Sequence, residues 1–112
     1  MLPRKGYPQM IRAARVMLER ATEEERRRVR FVVVGDCSDL CTYQAAMQLH
    51  LAAVAANQPR QVIVPADAVD TFDTPVQVAR DLGIMAHDGD LHHVLFLHHM
   101  ALNGITVVRS LA

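Results

Sequence analysis

Two cysteines, Cys37 and Cys41, follow an apolar run that ends at Gly35. Ser38 is a good helix N-cap, and a helix capped there would carry Cys41 at its third position. A thiolate in the first turn of a helix faces unpaired N–H groups and the positive end of the helix dipole, and both lower the pKa of the thiol. Cys41 is therefore predicted to be a nucleophile whose thiolate attacks a carbonyl carbon.

Cys37 would lie before this helix, outside the field of its dipole. A cysteine in such a place is most often a small buried residue, and the alternative is a thiol that forms a disulfide with an oxidised Cys41. The spacing of four residues, with one cysteine inside a helix, does not fit a disulfide framework or paired zinc knuckles.

Histidines are concentrated late in the chain, where five of the six occur at His87, His92, His93, His98 and His99. Two histidines on one helix can share a metal ion at spacings of three or four residues, and no pair from 92 to 99 has that spacing. Glycine-rich motifs that bind phosphates or dinucleotides are missing from the sequence. We therefore predict no metal site and no cofactor, and we assign the histidines to the surface or to an interface.

The elements that must position these residues follow from the apolar pattern. Apolar runs punctuated by glycine or proline predict a strand buried on both faces at residues 31–35, a second buried strand at 61–64 and a third strand at 105–109. Apolar residues at helical spacing, with capping residues at the ends, predict helices at residues 9–21, 39–56 and 75–82, and a fourth that begins at Asp88 or Asp90 and ends at residue 103. Strands that alternate with helices form βαβ units, so the predicted fold class is α/β, a three-layer α/β/α arrangement with a parallel sheet.

Charge is distributed unevenly along the chain. The 112 residues are enough for one domain with a modest core, and their net charge is zero. Residues 1–30 hold nine basic and four acidic residues, whereas residues 31–112 hold three basic and eight acidic ones. Halves of opposite charge attract each other or a second subunit, while the alternative is an arginine-rich helix face in contact with solvent.

Composition also excludes several classes of partner. A neutral chain lacks the positive field of a general nucleic-acid-binding protein. No apolar run reaches the roughly 18 residues of a membrane span, and no basic leader precedes an apolar segment with a cleavage site. We therefore expect no nucleic-acid or membrane partner, and a cytoplasmic location.

Residues 35–41 read Gly-Asp-Cys-Ser-Asp-Leu-Cys, which resembles the Gly-Val-Ala-Thr-Asp-Val-Cys signature of the isochorismatase-like cysteine hydrolases, a family that includes the nicotinamidases. Residues 62–68, Val-Ile-Val-Pro-Ala-Asp-Ala, are similar to the strand and Asp-Ala that follow in that family. The resemblance covers about the carboxyl-terminal half of the family's usual domain. It implies that residues 1–112 form a single, partial domain with about three strands of a six-stranded Rossmann-like sheet.

The resemblance also implies roles for particular residues. Cys41 would be the nucleophile, and Lys5, the only lysine, would be the lysine of the catalytic triad. Asp36 and Cys37 would form the oxyanion turn, with a cis peptide bond between them. The family's general-base aspartate, and the zinc ligands of the nicotinamidases, belong to a part of the fold for which this sequence has no counterpart.

Two functions are consistent with these patterns. The first is a cysteine-dependent hydrolase that acts on an amide or related carbonyl of a small-molecule substrate, impaired or dependent on a partner because the aspartate strand is missing. The alternative is a non-catalytic half-domain, or assembly module, from a truncated or split gene. Both predict a homo-oligomer or a second chain that supplies the missing strands, because an apolar edge strand at 31–35 invites pairing.

Overall fold

The computed structural model describes residues 6–58 and 60–111. The α-helices are α1 (Tyr7–Arg20), α2 (Glu23–Arg28), α3 (Cys41–Ala55), α4 (Val76–Leu82) and α5 (Gly89–Leu102). The strands are β1 (Arg30–Val32), β2 (Gly35–Asp36), β3 (Gln61–Pro65), β4 (Val69–Asp70) and β5 (Thr106–Val108), and a 3₁₀ turn spans Ala66–Ala68. Each helix and strand predicted from the apolar pattern is therefore present, with shifted ends.

The fold is α/β, as predicted. Strands β1, β3 and β5 form a parallel sheet in the order β1-β3-β5, and helices flank it, which is compatible with a three-layer α/β/α fold of which three strands are present. A second parallel pair, β2 with β4, was not predicted. It extends strand pairing beyond Gly35, where the apolar run ends.

One hydrophobic cluster joins the sheet to α1, α3 and α5. Its members in and just after β1, Phe31 and Val33, alternate along the chain, as do Val62 and Val64 of β3, in agreement with the twofold period of a strand. Its helix members include Met10, Ile11 and Ala14 of α1, Ala46 and Leu49 of α3, and Leu97 and Met100 of α5. The cluster therefore packs residues of these three helices against the strand residues.

The opposite side of β1 does not match the prediction of a strand buried on both faces. Val32 and Val34 are 45% and 56% exposed. Val32 lies in register with Ile63 of β3, which in turn pairs with Thr106 of β5. These three residues form a row on the sheet face opposite to the hydrophobic cluster. The prediction was wrong because continuous apolar residues reveal hydrophobicity but not whether a second layer covers them.

Helix ends follow their capping residues. Thr22 and Glu25 form a capping box at the start of α2, with hydrogen bonds of 3.2 and 2.7 Å. Asp88 caps α5 by accepting a hydrogen bond from the N–H of Leu91 at 3.0 Å. Gly83 ends α4 in the left-handed conformation.

α3 is less buried than its apolar composition predicts. Leu51 and Val54 are both more than half exposed, and its fully buried residues are Thr42, Ala46 and Leu49. Among the described residues, no helix is both long enough and apolar enough to cross a membrane.

Candidate functional site

The candidate site lies at the carboxyl ends of the parallel strands, where open α/β folds place their ligands. The chain leaves β1, forms β2 and enters α3 through a turn at residues 37–40. The N–H of Ser38 donates to the carbonyl of Asp70 at 2.7 Å, which extends the β2–β4 pairing into this turn. The turn is therefore attached to β4 on one side and to α3 on the other.

Cys41 is the first residue of α3, preceded by Leu40 at the N-cap position. The prediction that Ser38 caps the helix is wrong: its hydroxyl forms a hydrogen bond of 2.8 Å with Nδ1 of His93 instead. Ser38 is completely buried, so this tertiary partner takes the side chain that the local pattern assigned to the cap. Cys41 nevertheless lies in the first turn of a 15-residue helix, beside the N–H of Thr42, which donates to the carbonyl of Cys37 at 3.2 Å.

Thr42 attaches this first turn to β2. Its buried hydroxyl lies within hydrogen-bond distance of the carbonyls of Gly35 and Asp36, at 3.3 and 3.4 Å. Gly35 has φ of 120°, a conformation that a side chain would strain. The glycine that ends the apolar run therefore allows the chain to turn beneath the start of α3.

Asp39 is the buried carboxylate of the site, with 7% of its surface exposed. Its Oδ1 accepts a hydrogen bond from the hydroxyl of Thr71 at 2.6 Å, and its Oδ2 lies 2.6 Å from Nε2 of His87. Burial opposes ionisation, but these two hydrogen bonds outweigh it and lower the pKa of Asp39. Asp39 is therefore held as a carboxylate that links the 37–40 turn to two other segments.

His87 has an acceptor at each ring nitrogen. Nε2 faces the carboxylate of Asp39, and Nδ1 lies 2.7 Å from the carbonyl of Phe72. An imidazole can donate at both nitrogens only in its protonated form. The hydrogen bond to Asp39 outweighs desolvation and raises the pKa of His87, in agreement with this geometry.

Ring stacking holds the imidazole of His87 on both faces. Phe72 stacks on one side, with ring centroids 4.1 Å apart, and His92 on the other, at 4.3 Å. His92 in turn has Nδ1 2.8 Å from the carbonyl of Asp88, one helical turn earlier. These contacts fix the plane of His87 as well as its hydrogen bonds.

Gly89 lets the segment before α5 lie close to the loop that carries Phe72. A Cβ atom at position 89 would lie 2.7 Å from the carbonyl oxygen of Phe72. The N–H of Gly89 donates to Asp73 at 2.9 Å, and Thr74 and His87 exchange two backbone hydrogen bonds. This close approach brings His87 within reach of Asp39.

Most of the predicted site residues lie at or beside the 37–40 turn. Cys41 and Cys37 are both half-buried thiols there, and Asp36 is exposed on β2. The Asp36–Cys37 peptide bond is trans, so the cis bond that the resemblance implied is not formed. Lys5 lies outside the described residues.

The prediction that the histidines lie at the surface or at an interface is wrong for His87 and His93. His87 and His93 were assigned to the surface or an interface, yet both are half-buried and each bonds a side chain of the 37–40 turn. In residues 6–58 and 60–111, no three side chains of histidine, cysteine, aspartate or glutamate come together in an arrangement that could hold a metal ion.

Comparison of the chain with protein-family models, with curated proteins and with solved structures finds no match. A functional assignment therefore depends on the fold and on the geometry of the turn at 37–40.

Sequence reasoning missed the pairing of Asp39 with His87 and of Ser38 with His93. The partners are 48 and 55 residues apart, so no local spacing relates them. One signal was present: the βαβ pattern brings the starts of helices that follow parallel strands to the same edge of the sheet. Asp39 and His87 both lie just before a helix, which makes them candidates for contact at that edge.

The ion pair of Asp39 and His87 predicts a dependence of stability on pH. Because folding raises the pKa of His87, its contribution is complete below the unfolded pKa of about 6.5 and is lost as pH rises through the folded pKa. Because folding lowers the pKa of Asp39, its contribution is present above about pH 3.9 and is lost as pH falls through the folded pKa. Both contributions are complete between these two values.

We expect the free energy of unfolding, measured in urea, to decrease as pH rises above about 6.5 more steeply in the wild type than in His87→Gln. His98→Gln is the matched control, since His98 is an exposed residue of α5, and its pH profile should follow that of the wild type. Parallel profiles for the wild type and His87→Gln would contradict the assignment of a protonated His87.

Proposed function

We propose that this chain is a cytoplasmic, cysteine-dependent hydrolase of amides or related carbonyl compounds, with Cys41 as its nucleophile. The observation that supports this most directly is the position of Cys41 at the start of α3, beside the carboxyl ends of β1 and β3. N–H groups of a first helical turn stabilise both a thiolate and the oxyanion of a tetrahedral intermediate. The resemblance of residues 35–41 to the isochorismatase-like signature supports the same chemistry.

The proposed reaction has two steps. Sγ of Cys41 attacks the carbonyl carbon, so that a C–S bond forms, the C–N bond breaks, and the thiol proton reaches the leaving amine through a general base. Water then attacks the thioester, the C–S bond breaks, and the acid is released as a proton returns to Cys41. The products are a carboxylic acid and an amine, and the acyl-enzyme is the covalent intermediate.

The general base is proposed to come from a second chain. The family's aspartate belongs to a strand without a counterpart here, and Asp39 is already engaged by Thr71 and His87. Asp39 therefore suits a positioning role, holding the turn that precedes Cys41. A homo-oligomer, or a chain that supplies the missing strands, would bring the base to a small-molecule substrate at this edge.

A non-catalytic half-domain is the second candidate. The trans peptide bond at Asp36–Cys37 favours it, because the cis bond implied by the resemblance would aim backbone N–H groups at the oxyanion. Asp36 is exposed at the same turn, and a carboxylate near a developing negative charge would oppose it. In this case the chain would act through assembly alone.

The reactivity of Cys41 distinguishes the two candidates. The rate of alkylation by iodoacetamide is measured against pH in Cys37→Ala, which retains Cys41, and in Cys41→Ala, which retains Cys37. For a nucleophile we expect the Cys41 rate to rise with a midpoint at least one pH unit below the value of about 8.5 for a free cysteine. A midpoint at or above that value would exclude the hydrolase and leave the assembly module.

A further inference from the structure

A second concave site lies at the opposite end of α3 from Cys41. A cavity of about 210 Å³ opens between α1, β1 and the last turns of α3. Ala52, one of its lining residues, is eleven residues after Cys41, which corresponds to about 16 Å along the helix axis. The cavity therefore lies at the amino ends of the strands and shares no residue with the candidate site.

Most of the residues that line this cavity are apolar. Leu18 of α1, Phe31 of β1 and Leu49 of α3 line it, and small residues such as Ala52 and Ala56 leave the space between the two helices. In another protein an apolar cavity of about 150 Å³ takes up benzene. The cavity in this chain is large enough for a ligand with one aromatic ring. It is smaller than the roughly 300–1,000 Å³ that is typical of sites for drug-sized ligands.

Arginine side chains dominate the polar part of the lining. Arg15, Arg26 and Arg60 line the cavity together with a single carboxylate, Glu19. Even without Arg60, the two basic residues Arg15 and Arg26 outnumber the one acidic residue, Glu19, so the lining carries a net positive charge. An anionic ligand is thus favoured over a neutral or cationic one.

Arg26 is held in place before any ligand arrives. Its Nε donates to the carbonyl of Leu18 at 2.6 Å and its Nη2 to that of Glu19 at 3.1 Å, at the end of α1. A guanidinium has five N–H donors in a planar fork that matches a carboxylate, so these two bonds leave donors for a ligand. A side chain already fixed loses little entropy when it binds.

From this combination we propose that the cavity binds a small carboxylic acid with an apolar body. The body would fill the space against Phe31 and Ala52, and the carboxylate would contact the guanidinium groups, Arg26 foremost. The proposal does not depend on the hydrolase activity, because its residues are distinct from Cys41 and the 37–40 turn.

The test is a titration of the full chain with 3-phenylpropionate, followed by ¹H–¹⁵N NMR. We expect saturable binding with a Kd of about 1 mM or less, with the shifts concentrated at the cavity lining and not at residues 37–41. The neutral analogue 3-phenylpropan-1-ol has the same body without the charge and should bind at least about tenfold more weakly. Equal affinity for the acid and the alcohol would overturn the proposed role of the arginines.

Substitutions distinguish the contribution of the arginine charge to ligand binding from that of the cavity volume. Arg15→Gln removes an exposed guanidinium without disturbing the core and should weaken binding severalfold, whereas Arg12→Gln, on α1 but outside the cavity lining, should leave it unchanged. Ala52→Leu should fill the cavity and abolish binding. No saturation up to about 10 mM in the folded wild type would overturn the proposal, as would equal effects of Arg15→Gln and Arg12→Gln.

Discussion

In the presence of the chain proposed to supply the general base, replacement of Cys41 by alanine is expected to lower kcat for amide or ester hydrolysis by at least about three orders of magnitude. Loss of the nucleophile leaves only the rate enhancement that binding and oxyanion stabilisation provide. The cysteine is half-buried at the first position of α3, so alanine is tolerated there and the fold should persist. Steady-state hydrolysis is compared with the thermal unfolding midpoint of the same samples.

Cys37→Ala is the matched control. Cys37 is also half-buried at the turn, but only its backbone takes part in the proposed oxyanion turn, and its carbonyl accepts hydrogen bonds from Leu40 and Thr42. Alanine preserves these backbone bonds, so most of the activity should remain. Equal loss in both variants, with both folded, would show that Cys41 is not the nucleophile.

The elements around Cys41 could be predicted because they depend on local signals. Thr22 and Asp88, for example, cap their helices by accepting hydrogen bonds from N–H groups three residues later. The strand at β3 was recognisable because its apolar residues are bounded by Gln61 and Pro65. Such contacts are within reach of sequence reasoning because the partners lie within one turn of each other.

The network at the site could not be predicted because its partners are distant in sequence. Ser38 is an N-cap by local preference, but a buried hydroxyl needs a hydrogen-bond partner, and His93 provides one. The same competition moves the start of α3 to Cys41. Asp39 belongs to the segment that resembles the signature, yet its role emerges only when Thr71 and His87 are brought to it by the fold.

The free edge of β1 favours association with another chain. In the order β1-β3-β5, β1 pairs with β3 on one side, and within residues 6–58 and 60–111 no strand pairs with its other side. Val32 and Val34 add an exposed apolar surface next to this edge. An unpaired apolar edge is a template for another strand, and a sheet of three short strands buries little surface for a chain of this length.

We therefore expect the protein to be a dimer or a larger oligomer at micromolar concentration, with weak hydrolysis when it is isolated from other chains. Sedimentation velocity measures the oligomeric state. Val32→Lys should shift the distribution toward the monomer, because lysine at a strand edge opposes pairing. Leu82→Lys is the control: Leu82 is exposed on α4, outside the sheet, and should leave the distribution unchanged.

The proposed function predicts that a polypeptide carrying the strands and the aspartate that the resemblance implies raises hydrolysis by several orders of magnitude, because its aspartate would act as the general base. The gain should disappear in Cys41→Ala and in Lys5→Ala, if both act in the assembled site, while Arg12→Ala should retain it. A stable, folded monomer at micromolar concentration would contradict the assembly prediction. Full activity from that monomer would mean that a residue of this chain replaces the partner's base, and Asp36, the exposed carboxylate of β2, is the first to substitute.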